Sequence, residues 1–192
     1  MPPRTKFDRQ SVIEAALEIA QREGISGITA RKVAGQLRAS VAPIYANFEN
    51  IDDLVAAVVE RVFALSGELV ARQRGDDPLE NIGRASIAFA REYPVLFRDL
   101  VMRPNAHMDS YDALEDQLLE MMAGDERMQD WNRQDRRRLL FKLRAIHMGL
   151  STMTAVGLVP SWLDEDEVED ILLEMGEELM LAASVKREER SK

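Results

Sequence analysis

Side chains capable of covalent or metal chemistry are scarce in this sequence. Its 192 residues include no cysteine, which removes disulfides, thiolate metal sites and cysteine nucleophiles together. The two histidines, His107 and His147, lie far apart in the chain. No Ser/His/Asp grouping, Glu-x-x-His ligand pair or Gly-rich phosphate loop accompanies them. An enzyme is therefore not expected, nor a resident metal or cofactor. What the chain does carry is unevenly placed charge. Its net charge of −9, taken whole, disfavours a polyanionic partner. Residues 1–50 nevertheless hold seven Lys/Arg (Arg4, Lys6, Arg9, Arg22, Arg31, Lys32, Arg38) against five Asp/Glu, so that segment stands at +2 and the remainder at −11. This asymmetry suits a small module facing nucleic acid on an acidic body.

The elements that must position those charges are helices. With 46% hydrophobic residues, 7 Pro and 10 Gly, the chain can bury a substantial core. Segment 9–23 lines Val12, Ala15, Ala16, Ile19 and Ala20 along one helical face, with Asp8 as N-cap and Gly24 as stop. Phe7 and Val12 form a hydrophobic staple. Thr29 repeats the device for a helix at 30–37, and Ser40 caps a third with Pro43 at its third position. Asn50, Asp52 and Asp53 open a long helix at about 51–73. Further helices are expected at about 79–92, 95–103, 109–123, 134–157 and 165–188. No segment alternates with period two, so the fold class is all-α with about nine helices. The first 25 residues hold no signal-type apolar run, and no later segment reaches the roughly 18 charge-free apolar residues of a membrane span. A soluble cytoplasmic chain without a membrane partner is expected.

Three short helices ending at Phe48, the second and third joined by Arg38-Ala39-Ser40, have helix-turn-helix spacing. Any small three-helix bundle can share that spacing. Residues 29–54, TARKVAGQLRASVAPIYANFENIDDL, add the detail that decides between them. Thr29, Ser40, Tyr45, Phe48, Asn50 and Leu54 fall in register with the signature of the TetR/AcrR family of transcriptional regulators, which the chain resembles most strongly over about residues 8–60. The resemblance implies a DNA-binding domain over 1–50 and an effector-binding and dimerisation domain over 51–192, with helix 51–73 as connector and lever. It also implies roles by position. Thr29 would cap the second helix beside a phosphate, and Tyr45 would place its hydroxyl on the DNA backbone. Arg31, Lys32, Arg4 and Lys6 would neutralise phosphates. Ser40, Val41, Ala42 and Asn47 would face the bases, with Asn47 alone able to pair bidentately with adenine. Phe48 and Ile44 would pack inside. Two positions depart from the family pattern: Arg38 stands where the turn usually has Gly, and Ile51 where a phosphate-contacting Lys is usual. Arg38 could restore a phosphate contact, at the strain of positive φ in a non-Gly residue.

In the second half, the resemblance implies an effector cavity lined by Phe89, Tyr93, Phe97, Met102, His107, Met121, Met122, His147 and Met148. Broad apolar stripes on 134–157 and 165–188 suit a four-helix interface between two copies, with Leu150, Met153, Leu172, Met175 and Leu179 as candidate contacts. The implied function is a one-component regulator, a repressor released from a palindromic double-stranded operator by a small apolar or amphipathic effector. The rival readings are a helical small-molecule-binding protein that has lost DNA binding, and an adaptor dimer acting through the C-terminal helices.

Overall fold

The computed structural model describes residues 7–103 and 109–190, and among them it contains nine α-helices, one 3-10 turn and no strand. Helix α1 spans Arg9–Glu23, the 3-10 turn Ile25–Gly27, α2 Ala30–Gln36 and α3 Ala42–Asn47. They are followed by α4 Ile51–Arg72, α5 Pro78–Glu92, α6 Pro94–Leu100, α7 Asp109–Gly124, α8 Arg133–Ala155 and α9 Glu165–Arg190.

Short polar side chains set most of the starts. Asp8 accepts the Ser11 N–H at 2.8 Å, Asn50 that of Asp53 at 2.9 Å, Asp77 that of Leu79 at 2.8 Å and Asn132 that of Asp135 at 2.9 Å. At the start of α9, Asp164 and Glu167 exchange side-chain-to-backbone bonds at 2.9 and 2.8 Å, a reciprocal capping box. One start differs from expectation. Ser40 does not cap α3; the helix begins at Ala42, Val41 precedes it in helical conformation, and Pro43 therefore falls at the second position. The Val41 carbonyl accepts from Ile44 at 3.0 Å, so a tight first turn takes the place of a side-chain cap, and Ser40 Oγ lies 3.4 Å from the Ala42 nitrogen.

One core runs from α1 through α6. It joins Val12, Ile19, Val33 and Ile44 of the first three helices to Leu54, Val58 and Leu69 of α4 and to Phe89 and Phe97 of α5 and α6. The helix-turn-helix segment therefore shares its core with the helices beyond residue 50. Arg61 of α4 strengthens the junction by donating to Glu14 of α1 at 3.0 Å and to Glu68 at 2.7 Å. Two smaller cores complete the part beyond residue 50, the sensor half of the expected architecture. One packs Leu119 and Met122 of α7 with Met128, Trp131, Leu139 and Leu143; the other sets Ile87 of α5 against Val168 and Leu172 of α9. None of the described helices is long and apolar enough to cross a membrane.

Candidate nucleic-acid interface and sensor half

The first three helices sort their side chains by face. Val33 and Ile44 have no exposed surface and Phe48 almost none, so α2 and α3 are pinned from inside. The opposite face presents Tyr45 at 53% exposure and Val41 at 43%, two large apolar side chains that the fold leaves in water. Beside them Thr29, Arg31, Lys32, Arg38, Ser40 and Ala42 are exposed as well. The fold thus gathers these eight residues on the start of α2, the α2–α3 turn and the outer side of α3. Thr29 Oγ1 accepts the Lys32 N–H at 3.3 Å and so caps α2. Lys32 Nζ is bound to the Glu23 carboxylate, and that bond holds the carboxyl below the usual range. Arg38 sits at φ 51°, the positive-φ strain anticipated for a non-Gly residue in this turn.

Asn47 is placed differently from the base-reading role expected of it. Its side-chain amide donates to the Pro43 carbonyl at 2.8 Å and to the Phe7 carbonyl at 3.3 Å, and the residue is half-buried. An amide nitrogen committed to two backbone oxygens cannot also make the paired contact to adenine without breaking them. Asn47 instead ties the segment before α1 to α3. Nearby, the Arg9 guanidinium stacks 4.9 Å over the Phe48 ring. Lys6 lies outside the described residues.

Residues 12–58 match the family model described as bacterial regulatory proteins, tetR family. Residues 12–58 thus form a tetR-family N-terminal domain. The chain's curated relatives include the tetracycline repressor protein class D of Escherichia coli, 33% identical over 98 residues that make up 51% of this chain and 41% of that protein. Another is the uncharacterized HTH-type transcriptional regulator YobS of Bacillus subtilis, 22% identical over 107 residues, 54% of this chain and 56% of the relative. The chain thus spans about half the length of the curated relatives it matches. Among solved structures, a TetR-like transcriptional regulator from Rhodococcus sp. RHA1 superposes with TM-score 0.63 at 21% identity, covering 94% of this chain and 97% of that one. A second Rhodococcus regulator superposes with TM-score 0.66 at 17% identity over 92% and 97%. At these identities the likeness establishes the fold, and it extends well beyond the matched domain.

Beyond the matched domain, the residues expected to line one cavity are dispersed. Phe89 and Phe97 are buried in the main core, with the Tyr93 ring 5.5 Å from Phe89. Met122 is buried in the separate α7–α8 core, while Met102 and Met121 are exposed. The physical reason is packing: the α5 and α6 aromatics join the core shared with α1 and α4, and Met122 of α7 packs in the core that holds Trp131. Met121 and Met122 do border an open cleft of about 600 Å³, shared with Asp76, Asp77, Leu79 and Arg127. Arg127 spans it, donating to Asp77 and Asp125 at 2.5 Å each, and its bond holds the Asp125 carboxyl below the usual range. His107 lies outside the described residues.

His147 and Met148 are half-buried on α8. Burial pushes the His147 imidazole down to about 4, so it is neutral near pH 7. Its Nε2 packs so closely on Gly83 of α5 that a Cβ there would lie 3.1 Å away, and 2.9 Å from Leu172. One turn further along α8, the Ser151 hydroxyl is fully buried with no hydrogen-bond partner. His147 and Ser151 are thus a polar pair in a stripe otherwise made of Leu139, Leu143, Ile146 and Leu150. Sequence reading passed over Ser151; its i+4 spacing from His147 was the signal available.

The candidate dimer contacts also divide. Leu172, at 2% exposure, is spent in the chain's own core against Ile87 and Val168 and has no surface left for a second copy. Leu150 and Leu179 are half-buried against the smaller cores, Met153 is half-buried, and Met175 is exposed. The larger apolar exposure was missed: Phe141 at 73% and Trp162 at 74%, with Val156, Leu158, Leu181 and Val185. A shallow groove of about 440 Å³ follows α9 beside Leu181, Ala182 and Val185. Phe141 lies off the broad apolar stripe of 134–157 and Trp162 lies between α8 and α9, which explains the omission.

Proposed function

We propose that this chain is a DNA-binding transcription regulator acting as a homodimer in the cytoplasm, a repressor released from its operator by a small effector. The observation that carries the reading is the exposed Tyr45–Val41 face on a tetR-family domain whose inner face is fully packed. Tyr45, Thr29, Arg31 and Arg38 contact phosphates, and Lys32 joins them by exchanging Glu23 for the DNA backbone. Val41, Ala42 and Ser40 meet the bases, with thymine methyls the natural partners of the first two. Asn47 holds the segment before α1 and reads no base. The curated relatives named repressors support the sign of regulation.

Two copies associate through α8, α9 and the segment between them, covering Phe141, Val156, Trp162, Leu181 and Val185. The effector enters the α5–α8 region and carries an uncharged polar group. A neutral His147 and an unpartnered Ser151 hydroxyl complement a carbonyl or hydroxyl; neither neutralises a carboxylate. Binding favours the spacing of reader domains that does not fit the operator, and operator affinity falls by that preference.

Fluorescence anisotropy on DNA from upstream of the gene, at two salt concentrations, tests the reading. Selective binding that weakens with salt, and weakens further in a Tyr45→Ala, Arg31→Ala variant, is expected. Equal affinity for random DNA at low salt, from folded dimeric protein, would refute it.

A further inference from the structure

α6 meets the helix-turn-helix region through a polar contact as well as an apolar one. Asp99, near the end of α6, brings Oδ2 to 3.1 Å from the backbone nitrogen of Ile25, 74 residues earlier in the chain, and accepts its N–H. Ile25 opens the 3-10 turn that leads from α1 into α2. Such a turn leaves its first N–H groups unsatisfied unless an N-cap side chain reaches them. The cap position is Gly24, which has no side chain to supply that bond.

The steric evidence agrees with the hydrogen bond. Gly24 holds φ 85°, a conformation L side chains rarely adopt, and a Cβ built on it would lie 2.1 Å from Asp99 Oδ2. The carboxylate occupies the volume, and performs the capping, that a side chain at position 24 would provide in an ordinary turn. Its second oxygen lies 3.5 Å from Arg98 Nε and 3.9 Å from Arg103 Nη1, so the charge is balanced within α6 and the loop after it. Around this bond α6 packs on α1, and Phe97 is buried in the core that also holds Ile19 and Ala20. α1 is thus held by α4, to which α2 and α3 connect it, and by α6, which reaches it through packing and Asp99.

We propose that Asp99 is a positioning residue: a cap supplied from the sensor half that fixes the angle of α2 and α3 against the rest of the chain. A shift of α6 then reaches the reading helices through the Ile25 turn as well as through α4. The proposal goes beyond the reading of where DNA and effector bind.

The absence of cysteine allows a direct test on the full chain. Glu49 and Arg138 are exposed, and spin labels at Glu49→Cys and Arg138→Cys report the distance between reader and sensor halves. Diluting labelled chains into unlabelled ones isolates pairs within one chain. Asp99→Ala should widen the distance distribution about twofold, because the Ile25 turn loses its hydrogen bond to α6 and keeps only the packing of the shared core. Asp99→Asn retains a carbonyl acceptor for the Ile25 N–H and should stay near the parent width. Asp77→Ala removes a carboxylate of the Arg127 clasp and should leave the width unchanged, which separates positioning from general destabilisation. Amide exchange at Ile25 should rise roughly tenfold in Asp99→Ala while α1 stays protected. Should Asp99→Ala fail to fold, Asp99→Ser is too short to keep the bond and carries the same expectations. An unchanged width in the folded variant, or equal widening in Asp77→Ala, overturns the proposal. Neither readout needs operator or effector, so a failure of the DNA-binding reading leaves this test intact.

Discussion

The reader and sensor halves are built from the same material and solve different problems. In the first three helices every large apolar side chain is either fully packed, as Val33 and Ile44 are, or sits on the one outer face with Val41 and Tyr45. In the sensor half the core is divided, the buried Ser151 hydroxyl goes without a partner, a half-buried imidazole lies beside it on α8, and large apolar residues such as Phe141 and Trp162 are exposed. A surface that recognises a regular polymer can be finished in advance. Under the proposed function, the other half admits a ligand and a second copy, and its unsatisfied groups mark where to look for them.

That contrast can be broken first in the reader core. Ile44→Ala should cost about 2–5 kcal/mol, because the side chain is completely enclosed and its removal leaves a cavity. Denaturant unfolding would measure it, and a loss below 1 kcal/mol would mean that the reader core is looser than described.

The next effect is expected in the sensor half and depends on pH. His147 has a folded pKa of about 4 against an ordinary 6.5, so the unfolded chain takes up the proton first. Its contribution is complete above pH 6.5 and is lost as pH falls toward 4, to a total of at most roughly 3 kcal/mol. Comparing unfolding free energies of the parent and His147→Met between pH 7.5 and 4.5 tests this. The parent should lose more than the variant, and identical losses would place the imidazole in contact with water.

Ser151→Ala sharpens the comparison in the opposite direction. Removing a buried hydroxyl that has no partner should leave stability unchanged or raise it by about 1 kcal/mol, the reverse of the usual result for a buried polar deletion. A loss of similar size in thermal unfolding would reveal a bond to that hydroxyl. Smallest of all, Arg38→Gly should relieve the positive φ and stabilise the reader half by roughly 0.5 kcal/mol, while weakening DNA binding if the guanidinium contacts phosphate.

Helix limits were legible because they are set locally. Asp8, Thr29 and Asn50 each cap the helix that their position announced. Ser40 failed as a cap because the Val41 carbonyl closes the first turn by itself, which residue type does not reveal. Side-chain partners across helices were less legible. Asn47 is drawn to the Phe7 carbonyl 40 residues away and Asp99 to the Ile25 N–H 74 residues away, and helical periodicity carries no information at that range. The same limit explains the sensor half, where Phe97 and Met122 share an apolar pattern yet belong to different cores.

Under the proposed function, the outer faces of α2 and α3 from two copies read double-stranded DNA together. Hydroxyl-radical footprinting on the DNA upstream of the gene tests that most directly. Two protected stretches related by a two-fold axis, with centres about one helical turn or a multiple apart, are predicted, and they should vanish with the Tyr45→Ala, Arg31→Ala variant. Uniform cleavage by the folded parent protein, or protection that the variant leaves untouched, would contradict it.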